Sequence, residues 1–215
     1  SSLLTKWLNK VCEEALDIEA LENADEAEMC ALGHCFEKYQ QLLLESNSLD
    51  FSGIQYETLR LFQDNPTVLG EVCSKITHLM VDEYQDTNTI QESILFLLAG
   101  KSQNLCVVGD DDQGLYRFRG ATIRNILEFP ENFPAGQCKQ ERLVTNYRSH
   151  PGIIGFYNGW IANEAWSNGE KTFRFDKSIT AQEGTFPDTP AVLKLSQSDN
   201  VEFHDEVINF LMALK

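Results

Sequence analysis

Residues 79–87, LMVDEYQDT, set Asp82 and Glu83 side by side directly behind a short apolar run. Paired carboxylates at the end of an apolar strand suit hydrolysis of a magnesium nucleotide: the first holds the metal through water and the second polarises the attacking water. Successive strand side chains point to opposite faces, so a turn is required here to aim both at one ligand. Taken alone, the dipeptide reads first as an exposed acidic turn. Another acid, Asp110, ends a second apolar run, NLCVVGD, at residues 104–110. Further on, Tyr116 and Phe118 alternate with Arg117 and Arg119. Rings interleaved with guanidinium groups fit single-stranded nucleic acid, because any base stacks on a ring while arginine holds phosphate. The competing reading puts both rings on one buried face, as period-two spacing allows.

The elements that must position these residues form an α/β pattern. ITHLMV (76–81) and NLCVVGD suit buried strands, and TIQESILFLLAG (89–100) between them suits an amphipathic helix ending at Gly100. ATIRNILEF (121–129) predicts a short helix and ERLVT (141–145) a third strand. Strands separated by helices give parallel βαβ units, whose ligands gather at the carboxyl ends of the strands, where Asp82-Glu83 and Asp110 stand. Before this pattern the chain reads as helix, with residues 17–28 as an acidic exposed face or loop and a further helix over 50–62 stopped ahead of Asp64-Asn65-Pro66. After it, HPGIIGFYNGWIANEA (150–165) predicts a helix with proline in its first turn, AVLKLS (191–196) a strand, and residues 200–215 a final amphipathic helix. The polar stretch between them, residues 167–190, is rich in turn formers, and a domain boundary is expected near 146–151.

Composition sets the limits. With 215 residues and 42% hydrophobic content, the chain can bury a core as one large or two small domains. Its six cysteines are scattered without CxxC spacing, and no signal-peptide pattern opens it, which predicts a reducing, cytoplasmic setting and no membrane partner. Cys30, His34 and Cys35 lack a fourth ligand for structural zinc and are expected to be buried thiols and a bystander imidazole. A net charge of -16 argues against a surface that is wholly a nucleic-acid footprint. The charge is uneven, however: residues 11–37 hold no Lys or Arg, while Arg117, Arg119, Arg124, Lys139, Arg142 and Arg148 crowd together later. That cluster reads either as a local basic binding surface or as a solvated face with ion pairs.

Three segments taken together, DEYQDTN (82–88), VVGDDDQGLYRFRGA (107–121) and LVTNYRS (143–149), resemble motifs two, three and four of the UvrD/Rep family of superfamily-one DNA helicases, in that order and at about that spacing. LDF (49–51) is similar to the start of that family's DFxD segment, from which Ser52 and Gly53 depart, and the likeness runs over about 49–161. The resemblance implies an ATP-dependent helicase or translocase on single-stranded DNA and single/double-strand junctions, with ATP and Mg²⁺ as cofactors. It assigns Asp82 to Mg²⁺ through water, Glu83 to the general base, Gln113 to the γ-phosphate, Tyr147 to adenine and Arg148 to an arginine finger. Tyr116, Phe118 and Arg119 are assigned to DNA, with Phe118 standing where the family often carries Trp. It further implies a RecA-like parallel sheet with flanking helices. Residues 1–48 would be a helical segment within an insertion of the first core domain, 49–149 the later part of that domain, and 150–215 the beginning of the second.

A helicase motor also needs a phosphate loop, GxxxxGK[ST]. The single GKS tripeptide, at residues 100–102, follows a helix and has Leu95 where the first glycine belongs, so Gly100 is read as a helix C-cap and Lys101 as a last-turn cation. The pattern is absent from these residues, and the chain by itself is expected not to hydrolyse ATP. Two other readings are a non-hydrolysing interaction module derived from a helicase and the helicase portion of a helicase-nuclease.

Overall fold

The computed structural model describes residues 2–114, 121–182, 184, 186, 191–192 and 200–213. The chain forms two compact units, Ser1–Cys138 and Lys139–Lys215.

The first unit opens with four helices, α1 (Ser2–Glu13), α2 (Ile18–Glu22), α3 (Ala27–Glu45) and α4 (Phe51–Asp64). Their apolar faces meet in a core of Leu8, Val11, Cys12, Leu21 and Phe36, with the Tyr56 ring edge-on to Phe36 at 5.6 Å. The acidic stretch is therefore more than a loop. Asp17 caps α2 by accepting from the Ala20 N–H, and Leu21 turns inward. Gly33 lets α3 lie against α2, since a Cβ there would stand 2.9 Å from the Glu22 backbone nitrogen. Asp50 is the N-cap of α4, accepting from the Gly53 N–H and the Tyr39 hydroxyl, each at 2.5 Å. The expected stop at Pro66 is also a start. Proline in the first turn begins α5 (Pro66–Cys73), where its missing N–H costs nothing.

Next come β1 (Leu79–Val81), α6 (Thr89–Ala99) and β2 (Leu105–Val107), with β1 and β2 paired in parallel, Leu79 opposite Leu105 and Val81 opposite Val107. This is the expected βαβ unit. A capping box fixes the start of α6: Asn88 accepts from the Gln91 N–H while the Gln91 side chain accepts from the Asn88 N–H. Gly100 ends it with φ at 54°, as a C-cap, and Lys101 lies in the single 3₁₀ turn that follows. The short helix α7 (Ile123–Glu128) runs into a 3₁₀ turn at Phe129–Asn132. Phe129 packs at 5.2 Å from the Tyr84 ring, 6.0 Å from Phe96 and 5.1 Å from Phe133, an aromatic cluster that backs the β1 loop. Aromatic pairs of this kind add roughly 0.5–1.5 kcal/mol each beyond their area burial.

In the second unit, β3 (Thr145–Asn146) pairs in parallel with β4 (Thr180–Ala181), and α8 (Pro151–Ile161) begins at its expected proline. Of the strand expected over 141–145 only Thr145 lies in β3, which forms a sheet separate from β1 and β2 with β4, in the stretch read as turns. The Asn158 side chain of α8 ties β4 in place, donating to the Ile179 carbonyl at 2.7 Å and accepting from the Ile179 N–H at 3.2 Å. The strand expected at 191–196 falls mostly outside the described residues. The last helix, α9 (Asn200–Ala213), is where periodicity puts it.

All six cysteines are free, and Cys35 is exposed rather than buried because its position on α3 turns away from the core. Cys30 donates its S–H to the Glu22 carbonyl at 3.0 Å. No helix among the described residues is long and apolar enough to cross a membrane.

Candidate active site

Parallel pairing brings the ends of β1 and β2 to the same edge, so the loops carrying Asp82 and Asp110 leave the sheet side by side. The ladder continues past the strands, with the Val108 N–H donating to the Val81 carbonyl and the Tyr84 N–H to the Val108 carbonyl. The turn demanded by the adjacent carboxylates is present. Glu83 has φ 51° and ψ 41°, the left-handed region, and opens a 3₁₀ turn at Tyr84–Asp86. A non-glycine residue held there costs about 1–3 kcal/mol, which the surroundings must offset. The Asp82 carboxylate accepts from the Glu83 N–H at 2.9 Å, and both acids remain exposed.

Behind them lies Gln85, with 1% of its surface exposed. Its amide nitrogen donates to Glu83 Oε2 at 2.7 Å, and its carbonyl accepts from the Asp110 N–H at 2.9 Å. Asp110 in turn accepts from the Gln113 amide at 2.8 Å and from the Asp112 N–H at 3.1 Å. Glu83 and Gln113 thus lie at the two ends of one hydrogen-bonded chain. Gly109 makes room for it, since a Cβ there would stand 2.6 Å from Gln85 Oε1 and 2.8 Å from Ile126 Cδ1.

Below this surface, the Tyr84 hydroxyl donates to Glu92 at 2.8 Å. Burial pushes the Glu92 carboxyl above its ordinary value, opposed by the Tyr84 hydrogen bond and by Arg124. Burial first, and the bond to Glu92 second, raise the Tyr84 phenol. From α7, the buried Asn125 amide donates to the Thr87 carbonyl at 3.4 Å, the Thr87 hydroxyl at 3.3 Å and the Asn88 carbonyl at 3.3 Å, closing the floor of the loop.

Asp110, Asp111 and Asp112 bring carboxylate oxygens within 4.8 Å of one another, beside the loop that holds Asp82 and Glu83. A polyphosphate would meet mutual repulsion at so acidic an edge unless a cation stood between. The oxygen-only donor set of these three acids suits a hard divalent ion such as Mg²⁺.

In the second unit, Tyr147 and Arg148 follow β3 directly, both exposed, Tyr147 to 74%. Asn146 shapes their loop by accepting from the Arg148 N–H at 2.9 Å and the Ser149 N–H at 2.7 Å, and the His150 ring caps α8 by accepting from the Gly152 N–H. Tyr116, Phe118 and Arg119 lie outside the described residues. The structure thus groups Asp82, Glu83 and Gln113 in one unit, and Tyr147 with Arg148 in the other.

The UvrD/REP helicase N-terminal domain family matches residues 2–134, more than half of the chain. The chain belongs to the UvrD/REP helicase family. Among curated proteins it resembles the ATP-dependent DNA helicase PcrA of Staphylococcus aureus strains Mu50 and NCTC 8325, 39% identical over 158 residues, which cover 69% of this chain and 21% of that protein. The PcrA of Staphylococcus epidermidis is 39% identical over 147 residues, covering 68% of this chain and 20% of that protein. The chain therefore spans about one fifth of the length of these relatives. In this family member, the residues that the sequence alone did not single out are Gln85 and Gly109. A polar residue embedded between acids and a glycine closing an apolar strand were the available signals, but their partners lie in a different loop.

Proposed function

We propose that the chain carries the metal-binding and water-activating half of the ATP site of a DNA helicase, which couples Mg-ATP hydrolysis to movement on single-stranded DNA and unwinding at single/double-strand junctions. The observation that carries this reading is the left-handed turn at Glu83, which spends backbone strain to present two adjacent carboxylates at the carboxyl end of a parallel strand.

In this reading the sheet of the first unit is the later part of a RecA-like core domain, and the second unit opens its counterpart. Asp82 would hold Mg²⁺ through water, and the ion would supply neutralisation of the phosphate charge. Glu83 accepts a proton from the water whose oxygen attacks the γ-phosphorus, while the bond to the leaving ADP oxygen breaks. Gln113 contacts the γ-phosphate. As the family resemblance implies, Tyr147 would stack on adenine, and Arg148 would stabilise the charge that spreads over the transferring phosphoryl group. Tyr116, Phe118 and Arg119 stack on and hold the DNA strand. These residues hold no GxxxxGK[ST] pattern to cradle phosphates, so in this reading the chain alone does not turn over ATP.

The test is steady-state ATPase of the complete protein. Hydrolysis that requires Mg²⁺ and rises at least about tenfold with single-stranded oligonucleotide supports the reading. Hydrolysis indifferent to DNA, or none, overturns it.

A further inference from the structure

We propose that Gln85 is a positioning residue that holds the water-activating Glu83 in register with the phosphate-contacting Gln113, so that a change at one reaches the other. The inference rests on the ATP-site reading above and adds to it a residue that touches neither nucleotide nor metal.

The geometry leaves Gln85 little other use. A buried amide must satisfy both of its ends, and here one end donates to Glu83 Oε2 at 2.7 Å while the other accepts from the Asp110 N–H at 2.9 Å. The two bonds join loops that are 25 residues apart in sequence. Each bond constrains a different partner. The first fixes the Glu83 carboxylate, whose backbone lies in the left-handed region. The second fixes the backbone of Asp110, whose carboxylate holds the Gln113 amide at 2.8 Å. A shift of Gln113 toward a γ-phosphate would therefore pull on Asp110, then on Gln85, then on the base. Coupling of this kind needs a contiguous set of contacts with two arrangements, and a glutamine amide bridging two loops supplies the contacts. Gly109 supports the same assignment, because even one carbon at that position would collide with Gln85 Oε1 at 2.6 Å.

The experiment compares the complete wild-type protein with Gln85→Met, which keeps length and volume but neither donates nor strongly accepts, and with Gln85→Glu, which keeps the acceptor for Asp110 and loses the donor to Glu83. Steady-state kcat and KM for ATP with saturating oligonucleotide are read beside the affinity for adenylyl imidodiphosphate. A positioning role predicts that kcat falls at least about tenfold in both variants while analogue affinity stays within about twofold. It also predicts that Gln85→Met combined with Gln113→Ala is no worse than the poorer single variant, since both cut the same chain. Should Gln85→Met fail to fold, Gln85→Glu carries the comparison. A kcat within twofold of wild type, a parallel loss of analogue affinity, or fully additive losses with Gln113→Ala overturns the proposal. A wild-type protein that binds the analogue but shows no DNA-stimulated hydrolysis instead overturns the ATP-site reading, and the positioning role with it.

Discussion

The two loops that hold the proposed site residues are built in opposite ways. In the first unit, the loop after β1 adds support from outside to its own bonds: Gln85 reaches Asp110, Thr87 is held by Asn125, and an aromatic cluster packs beneath Tyr84. In the second, the loop after β3 is organised by its own residues, with Asn146 accepting from amides two and three positions ahead. The first arrangement suits groups that must be aligned before a reaction starts. The second suits the roles proposed for Tyr147 and Arg148, whose side chains stand exposed. Long-range support makes the first loop sensitive to the whole unit, while local support makes the second tolerant of it.

Substitutions at the supporting positions can break this contrast. The largest expected effect is at Gly109, where alanine forces Gln85 or Ile126 to move. Overpacking of this kind costs about 1–3 kcal/mol, read as a lower denaturant midpoint for the first unit. In the second loop, Asn146→Ala removes the acceptor from two amides, one exposed and one half-buried, which water can largely satisfy. It should cost about 0.5–1 kcal/mol, and equal costs at the two sites would erase the contrast.

A smaller, pH-dependent effect sharpens it. The Glu92 carboxyl is raised in the folded state, so its contribution is fully present below the ordinary carboxylate value of about 4.3 and is lost as pH rises through the folded value. Glu92→Gln keeps an acceptor for the Tyr84 hydroxyl and removes the buried charge. The midpoint advantage of the variant over wild type should widen between about pH 4 and pH 7, and a constant gap would place the cost of Glu92 elsewhere.

Much of the frame was legible in the sequence because it depends on local chemistry. Apolar runs marked β1 and β2, periodicity marked α6 and α9, and Gly100 and Pro151 marked a helix end and a helix start. What escaped depends on context. Pro66 terminates one helix and begins another, and only the chain's path decides that it does both. β4 lies in a polar stretch because two residues paired to β3 need no apolar run of their own. At the site, sequence spacing required a turn between Asp82 and Glu83, yet that the turn is made by Glu83 itself in a left-handed conformation follows from the packing of Tyr84 and Gln85 behind it. Likewise, nothing local in DEYQDTN pairs Gln85 with an amide in the following loop.

The most direct test of the paired-carboxylate account is a single-turnover quench experiment on the complete protein carrying Glu83→Gln, with ATP, Mg²⁺ and single-stranded oligonucleotide prebound. The account predicts that ATP binds with near wild-type affinity and that its cleavage slows by about 10²–10⁴, the worth of a positioned general base. Cleavage at the wild-type rate would contradict it.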